Sequence, residues 1–311
     1  MTPPRLWVVC PCFHDAAAFA RVRTEAAAAL AGRFPDLRFV LIDDSAGQDP
    51  ELAGLAALPG VRVLTPPYNH GHQGALVYGL RQLRAAVAPE DCVLTMDSDG
   101  EDRPEDAPAL LAPLLAEPGR LHVVSLAQRT RRRESLPFKV LYAAFKAVFR
   151  LATGKVIRNG NFAAFRGWLL KDVIFHPHFD FAYASAFISL PLSTVMVPMP
   201  RGERYAGRSR MGTMALLTHG LRMLLPFSEP IATRGVTACA AGAAAGTLLS
   251  GGGAAAGSRT ALAAGLALTL LCCHGLGVFA LLFVAFAQSK SRTLRGLHDF
   301  KAAPEMTEVN R

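Results

Sequence analysis

The feature that most constrains this chain is a pair of long stretches without any charged side chain, near the C-terminal end. Residues 235–258 form one stretch of 24 residues and residues 260–289 form another of 30, separated by Arg259. About 20 apolar residues suffice for a helix to cross a bilayer, so both stretches are long enough. The second is rich in Leu, Val and Phe, whereas the first is mostly Ala and Gly. We therefore predict a transmembrane hairpin over 229–290, in which the weaker first helix packs on the second.

Two glycine pairs and the flanking charges support this hairpin. Gly242 and Gly246, like Gly253 and Gly257, have the spacing that lets two membrane helices approach closely. Because Lys and Arg favour the cytoplasmic side, we expect a multi-pass protein of the inner membrane with both ends in the cytoplasm. The basic residues that flank the hairpin are Arg222, Arg234, Lys290, Arg292, Arg295 and Lys301, the last three in a predicted basic tail, 291–311.

Residues 1–210 have the pattern of a separate catalytic domain. The chain is 51% hydrophobic, which excludes general disorder, and short apolar runs alternate here with helical patterns. This alternation predicts an α/β, Rossmann-like fold with a mostly parallel sheet and flanking helices. The predicted strands are Leu6–Val9, Arg38–Ile42, Val61–Leu64 and Cys92–Met96, and the predicted helices are Ala16–Phe34 and Ala75–Val87.

Polar side chains follow these strands where each one ends. In such sheets ligands gather at the carboxyl ends of the strands. The acidic pair Asp97 and Asp99 follows the fourth strand, and a pair of carboxylates at this spacing suits Mg²⁺ or Mn²⁺. The alternative is a solvated acidic loop. The other polar residues in such positions are Asp15, Asp43, Asp44 and Asn69.

Two of these positions suggest a nucleotide. Asp43 and Asp44 are suited either to a turn or to hydrogen bonds with a base or ribose. The stretch 69–74 forms either a turn or a close backbone approach to a ligand, for which Gly71 removes the side chain. It lacks the Gly-x-Gly-x-x-Gly pattern of dinucleotide enzymes, and its histidines are not expected to ligate a metal.

Two further segments are predicted to be amphipathic helices. Residues 136–152 place large apolar side chains on one face and basic ones on the other, which suits either a core helix or the membrane interface. Residues 211–228 are predicted to be a juxtamembrane helix that leads into the hairpin.

The charge balance favours anionic partners. The 33 Lys and Arg residues exceed the 24 Asp and Glu residues, for a formal charge of +9. Arginines cluster mid-chain at 129–133 and again at 201–210, just before the apolar region. Cationic side chains beside a membrane segment suit phosphate headgroups better than nucleic acid. The six cysteines have neither metal-ligand nor disulfide spacing, which fits a reducing compartment.

Several short motifs occur together in one order along the chain. They are Val8–Phe13, Ile42–Ser45, Asn69-x-Gly71 followed by Ala75 and Gly79, Asp97-Ser98-Asp99 with Asp102 and Pro104, and Arg204-x-x-Gly207-x-Ser209-Arg210 followed by Leu225–Ser228 and two spans. Taken together, they resemble the family 2 glycosyltransferases of GT-A fold, and more narrowly the polyprenyl-phosphate glycosyltransferases of the dolichol-phosphate-mannose-synthase type. The resemblance extends over about residues 5–290.

The resemblance implies roles for particular residues. It implies a metal site at Asp97, Asp99 and Glu101, where Glu101 replaces the usual Gln. The nucleotide positions are Pro11, Asp15, Asp43, Asp44, Asn69 and Gly71, with His14-Asp15 in place of the usual Asn-Glu. Arg129 and Arg131 are expected in the catalytic group with Asp97 and Asp99, and Arg204, Ser209 and Arg210 at the lipid phosphate.

The implied reaction is an inverting, metal-dependent transfer of a sugar from a nucleotide, with UDP favoured over GDP, to a lipid such as undecaprenyl phosphate. A cation and arginines beside the departing diphosphate would stabilise its charge in the transition state. One alternative is a processive polysaccharide synthase, although its Gln-x-x-Arg-Trp motif does not occur here. The other is a non-catalytic, membrane-anchored nucleotide-sugar binder.

Overall fold

The computed structural model describes residues 4–34, 36–130, 136–206 and 212–302. Within them, seven strands form one mixed sheet in the order β3-β2-β1-β4-β6-β5-β7. The strands are β1 (Leu6–Cys12), β2 (Leu37–Asp43), β3 (Val61–Leu64), β4 (Cys92–Thr95), β5 (Val123–Arg129), β6 (Asn159–Arg166) and β7 (Ser193–Met199).

The sheet is parallel apart from one strand. β1 pairs in parallel with β2 and β4, and β5 pairs in parallel with β7. β6 is antiparallel to both of its neighbours, β4 and β5. The carboxyl ends of the other strands therefore share one edge of the sheet with the amino end of β6. This arrangement confirms the predicted α/β class with a mostly parallel sheet.

The helices that the structure describes cover the sheet and continue into the C-terminal region. They are α1 (Ala16–Leu30), α2 (Pro50–Gly54), α3 (His72–Gln82), α4 (Ala107–Ala116), α5 (Leu136–Thr153), α6 (Trp168–Lys171), α7 (Pro177–Phe181), α8 (Tyr183–Ser189), α9 (Thr213–Leu224), α10 (Ser228–Ala255) and α11 (Arg259–Ala302). Leu6, Val8 and Cys10 of β1 lie in one buried cluster with Phe19 of α1 and Leu110 of α4. Since helices cover the central strands, these strands are apolar throughout, as the sequence shows.

The predicted elements are present, with different ends. β1 continues through Pro11 to Cys12, and Pro11 pairs in register with Ile42 of β2. α1 ends at Leu30, four residues earlier than predicted, and Gly32 beyond it has a φ of +72°. α3 begins at His72, three residues before the predicted start, because Gly71 with a φ of +71° precedes it as the N-cap.

The chain forms two compact units. The first comprises Met1–Lys146 and Val156–Met223, and the second comprises Ala147–Lys155 and Leu224–Arg311. The first contains the whole sheet. The second contains α10, α11 and the end of α5, where Phe149 is buried against Phe227 while Val148 and Leu151 are exposed.

Glycines let α10 and α11 come into close contact. A Cβ atom on Gly246 would lie 2.7 Å from the backbone N of Thr269 and 2.8 Å from the carbonyl oxygen of Gly265. Gly242 and Gly253 similarly face Cys272 and Leu262 of α11. The predicted packing role of Gly257 is wrong, because Gly257 lies in the turn between the helices with a φ of +64° and open space around it. Three of the four glycines therefore form a helix–helix contact.

One helix among the described residues is long and apolar enough to cross a membrane. It is the segment Arg259–Ala287 of α11. α10 does not meet that criterion alone, because Ala and Gly dominate it. Two closely packed antiparallel helices thus occupy the predicted hairpin region, and of the two only α11 meets the criterion for a membrane span.

Candidate active site

The acidic loop, residues 96–106, leaves the carboxyl end of β4 at the centre of the sheet. Asp97 and Asp99 are 9% and 8% exposed, so both carboxylates lie in a largely buried setting. One oxygen each from Asp97, Asp99 and Glu101 lies within 4.8 Å of the others. The structure therefore brings the three predicted metal ligands together.

Hydrogen bonds within the acidic loop hold this arrangement. The carboxylate of Asp102 accepts a hydrogen bond of 3.0 Å from the backbone N of Asp97. The carboxylate of Asp99 accepts one of 2.9 Å from the backbone N of Glu101. Gly100 lies between them with a φ of +86°, a conformation that glycine adopts without strain. The sequence Asp-Ser-Asp-Gly-Glu-Asp thus folds as a turn that presents its carboxylates on one side.

A second segment, which we call the strap (residues 201–205), lies against the acidic loop directly after β7. The backbone N of Gly202 donates to the carbonyl oxygen of Glu101 at 2.9 Å. Arg201 forms an ion pair with the carboxylate of Glu101. Arg204 Nη2 lies 2.6 Å from Asp99 Oδ2. The strap therefore supplies two guanidinium groups to carboxylates of the acidic loop.

Asp97 has its own set of donors. His72 Nε2 lies 2.8 Å from Asp97 Oδ1, and Asn161 Nδ2 lies 3.5 Å from the same oxygen. Gln73 Nε2 donates to Asn161 Oδ1 at 3.1 Å, which orients the Asn161 amide. Arg129 Nη2 lies 3.9 Å from Asp97 Oδ2 and 3.2 Å from Asp102 Oδ1. Side chains from α3, β5 and β6 thus converge on one carboxylate.

The crowding of charges shifts the pKa values in different directions. Burial works against ionisation of Asp97, but the nearby His72 and Arg129 outweigh it and hold the pKa of Asp97 below its ordinary range. Burial and the charge of Asp97 raise the pKa of Asp99 to about 6 and that of Asp102 to about 7. Desolvation lowers the pKa of His72, yet the carboxylates outweigh this effect and raise it to about 9. Additional positive charge would relieve the repulsion among these carboxylates.

The composition of the cluster fits a hard divalent cation. Carboxylate oxygens are the ligands that Mg²⁺ and Mn²⁺ prefer, and three of them converge here. Asp102 is less available, because its two oxygens accept hydrogen bonds from Asp97 N and Arg129. Asp97, Asp99 and Glu101 are therefore the residues that would hold such an ion.

The predicted nucleotide residues fall into two groups. Asp44, Asn69 and Gly71 lie together beside the carboxyl end of β2: Asn69 Nδ2 donates to Asp44 O at 2.7 Å, and Asn69 Oδ1 accepts from Gly71 N at 2.9 Å. The carboxylate of Asp44 accepts a 2.9 Å hydrogen bond from His70 N, and burial raises its pKa. Nothing lies within 4 Å of the position that a Cβ atom on Gly71 would take, which leaves room for a ligand.

The second group, Asp43, Pro11 and Asp15, lies in or shortly after the strands β1 and β2. Asp43 is 1% exposed, and its oxygens accept hydrogen bonds from Ser45 N and Gly47 N at 3.0 Å each. Its carboxylate thus stabilises its own turn. Pro11 is buried in β1, and Asp15 precedes α1. Their assignment to a nucleotide stays a prediction.

The structure describes two of the four arginines that are predicted at the site. Arg129 and Arg204 both reach the acidic loop, as described above. Arg131, Ser209 and Arg210 lie outside the described residues, so their roles stay predictions.

Several residues that contact the site are not among those predicted from the sequence. Asn161 reaches it because β6 runs in reverse: Thr95 pairs with Ala163, which places Asn161 opposite Asp97. No local motif marks such a position. His72 follows Gly71 in the sequence and is not predicted to ligate a metal. In the structure it is a hydrogen-bond partner of Asp97. Arg201 is part of the arginine cluster at 201–210, but no role is predicted for Arg201 itself.

Comparisons with known proteins agree on the class of this domain. A model of the family described as glycosyl transferase family 2 matches residues 7–173, more than half of the 311 residues. Undecaprenyl-phosphate 4-deoxy-4-formamido-L-arabinose transferase from Enterobacter sp. (strain 638) is 26% identical over 74% of this chain and 73% of its own length. The protein of the same name from Edwardsiella ictaluri (strain 93-146) is 26% identical over 68% of this chain and 64% of its own length.

A solved structure supports the fold. Mannosyl-3-phosphoglycerate synthase from Rubrobacter xylanophilus aligns with 75% of this chain and 75% of its own, with a TM-score of 0.52 and 17% identity. At this identity the likeness concerns the fold alone, and it agrees with the predicted GT-A type.

Proposed function

The chain belongs to glycosyl transferase family 2, and from this membership we propose that it transfers a sugar from a nucleotide diphosphate donor to a polyprenyl phosphate such as undecaprenyl phosphate. UDP is the expected nucleotide, with GDP as the alternative. The relatives named above support the acceptor class, since both are named as undecaprenyl-phosphate sugar transferases.

One observation carries the proposal: the convergence of Asp97, Asp99 and Glu101 at the carboxyl end of β4. This is the edge of the sheet where α/β folds bind ligands. Asp44 directly follows β2, whose carboxyl end lies at the same edge of the sheet, and Asn69 links it to Gly71. We expect the nucleotide to bind along this edge. A cation held by the three carboxylates would bind the donor diphosphate and neutralise its developing charge.

The residues of the chain then have separate tasks in the transfer. A phosphate oxygen of the lipid attacks the anomeric carbon, and the bond from that carbon to the diphosphate oxygen breaks with its electron pair on the leaving diphosphate. The configuration at the anomeric carbon inverts. Arg129 lies at the acidic loop, where its guanidinium stabilises the departing charge. The lipid phosphate is already ionised at neutral pH, so no residue has to remove a proton from it.

Exposed apolar surface supports a position at the membrane. Met214, Leu217 and Leu221 of α9 are 74%, 56% and 57% exposed, and their spacing places them on one face of the helix. Separately, α11 exposes Leu270, Leu271 and Leu281. Such surfaces suit a lipid environment, in agreement with an acceptor that cannot leave the bilayer. We propose that the hairpin lies in the cytoplasmic membrane with the catalytic domain and both chain ends on the cytoplasmic side.

The proposal is tested by incubating membranes that contain the full-length protein with a panel of radiolabelled UDP- and GDP-sugars and then extracting lipids. We expect label from one donor in a phosphate-linked lipid, dependent on Mg²⁺ or Mn²⁺. Asp99→Asn should reduce the transfer by at least about 100-fold, because the cation and the charge stabilisation that it provides are lost.

The matched control is Glu105→Gln. Glu105 belongs to the same loop, but its exposed carboxylate pairs with Arg103 and is not part of the cluster of Asp97, Asp99 and Glu101. This variant should retain activity. Labelled polymer instead of labelled lipid would identify a polysaccharide synthase. Binding of the nucleotide sugar without any transfer would identify a non-catalytic binder.

A further inference from the structure

The carboxylates of the acidic loop already have basic partners within the chain. Arg201 pairs with Glu101, Arg204 with Asp99, and Arg129 lies between Asp97 and Asp102. Three guanidinium groups therefore face four carboxylates. A divalent cation that enters this cluster has to compete with these positive groups for the same oxygens, so it binds best when an anion enters with it.

His72 is placed differently from the arginines. It is the first residue of α3, and its ring donates to Asp97 Oδ1 at 2.8 Å. The Asp97 side chain is 13% exposed, whereas that of His72 is 45% exposed. The ring thus contacts the carboxylate and is still about half exposed. Asn161 also contacts Asp97 Oδ1, so Asp97 keeps one neutral donor if His72 leaves.

Arg204 and His72 reach the candidate metal ligands from two different elements of the chain. Arg204 approaches Asp99 from the strap, and His72 approaches Asp97 from α3. A cation held between these two aspartates would therefore have a hydrogen-bond donor from α3 at its side. The position of the first residue of α3 is also favourable for an anion, since the free N–H groups of a helix point out of its N-terminal end.

We infer that His72 is a diphosphate-binding residue that exchanges partners: it occupies Asp97 in the free protein and donates to the donor diphosphate once a cation takes its place at Asp97. The inference rests on the proposed function and names a residue to which that function assigns no part. The exchange needs no change in protonation, because Nε2–H is the donor in both states.

The exchange has an energetic consequence. In the free protein, breaking the bond from His72 to Asp97 makes cation binding weaker. When a nucleoside diphosphate is bound, the N–H of His72 gains a phosphate oxygen as its acceptor. This new hydrogen bond offsets the free energy lost at Asp97. Cation and nucleotide should therefore bind with positive coupling, and His72 should account for part of it.

The test measures Mn²⁺ binding to the full-length protein in detergent by electron paramagnetic resonance, with Mn²⁺ alone and with saturating UDP or GDP. In His72→Ala, Mn²⁺ alone should bind about 3- to 10-fold more tightly, because a competing hydrogen bond is gone. The tightening of Mn²⁺ binding by the nucleotide should shrink by about the same factor or more. His72→Gln, which keeps an N–H donor, should restore part of the coupling.

The matched control is His122→Ala. His122 contacts Trp168 and lies before the amino end of β5, whereas Arg129 lies at the carboxyl end. It should leave both measurements unchanged. Weaker or unchanged Mn²⁺ binding in His72→Ala without nucleotide would overturn the inference, since a merely supporting residue weakens binding in both conditions. If neither nucleotide tightens Mn²⁺ binding in the wild type, the proposed function fails and the exchange fails with it. If the wild type shows this coupling and His72→Ala keeps it in full, the proposed function stands and only the role of His72 is overturned.

Discussion

The backbone N of Tyr205 donates a hydrogen bond of 2.9 Å to the carbonyl oxygen of Asp99. Together with the bond from Gly202 to Glu101, it joins the strap to the acidic loop at two backbone positions. The Tyr205 side chain is fixed in turn by a hydrogen bond to Glu25 and by Arg21, whose guanidinium lies 3.9 Å from the ring centroid. The candidate ligands are thus supported by a segment about 100 residues further along the chain.

Gly100→Ala should disturb this junction. A Cβ atom at Gly100 would lie 2.6 Å from Cζ of Tyr205, and its φ of +86° is unfavourable for alanine. We expect transfer to fall by at least about 10-fold with weaker Mn²⁺ binding, because the acidic loop and the strap have to separate. Gly119→Ala is the control, since Gly119 has open space around it. Equal Mn²⁺ affinity in both variants would show that the junction does not shape the cation site.

Asp91→Asn should destabilise the sheet domain without touching the site. Asp91 is 4% exposed and accepts hydrogen bonds from Arg5 N, Ala88 N and Trp7 Nε1. Burial works against its ionisation, but these bonds and the Arg5 side chain outweigh it, and the pKa of Asp91 is lowered. The free energy of unfolding should fall by about 1–3 kcal/mol at pH 7. Thermal unfolding of the full-length protein in detergent measures it.

The same residue predicts a pH dependence with a definite sign. Because the folded pKa of Asp91 lies below the unfolded value of about 3.9, its contribution is complete above that value and is lost as the pH falls through the folded pKa. The gap between wild type and Asp91→Asn should therefore close in acid. A gap that stays constant from pH 7 to pH 3 would contradict this account.

Gly246→Leu should weaken the helical hairpin. The added side chain would meet the backbone of Thr269 and Gly265, which cannot move aside as a flexible side chain does. Overpacking of this kind costs about 1–3 kcal/mol, so the melting temperature in detergent should fall. Gly252→Leu adds the same side chain to the same helix where space is open, and it should be neutral. Equal stability of the two variants would show that α10 and α11 do not depend on this contact.

Leu217→Gln combined with Leu221→Gln tests the exposed face of α9. Both side chains are more than half exposed, so the double variant should fold normally. If this face lies in the interface, as we propose, the KM for a polyprenyl-phosphate acceptor in vesicles should rise by at least about 5-fold, while the KM for the donor stays the same. Thr24→Gln, at an exposed position of α1, is the control. An unchanged acceptor KM would place α9 away from the lipid.

Local patterns predicted much of the fold and the centre of the site. The strand at Val61–Leu64 has the predicted ends, and Asp97 and Asp99 follow a buried strand as predicted. Short motifs suffice here because a strand and the turn after it are contiguous in sequence. The strands β5, β6 and β7 are not predicted from the sequence, since their pairing partners are distant along the chain.

The sequence by itself determined the α/β class, the apolar C-terminal segments and the group of carboxylates after β4, because periodicity and composition express these features within a few residues. Only the tertiary structure decided which side chains meet those carboxylates. The reversal of β6 places Asn161 at Asp97, the end of β7 places Arg201 and Arg204 at Glu101 and Asp99, and Gly71 starts α3 so that His72 reaches Asp97. Such contacts follow from the order and direction of strands in the sheet, which depend on long-range pairing and leave no local signature.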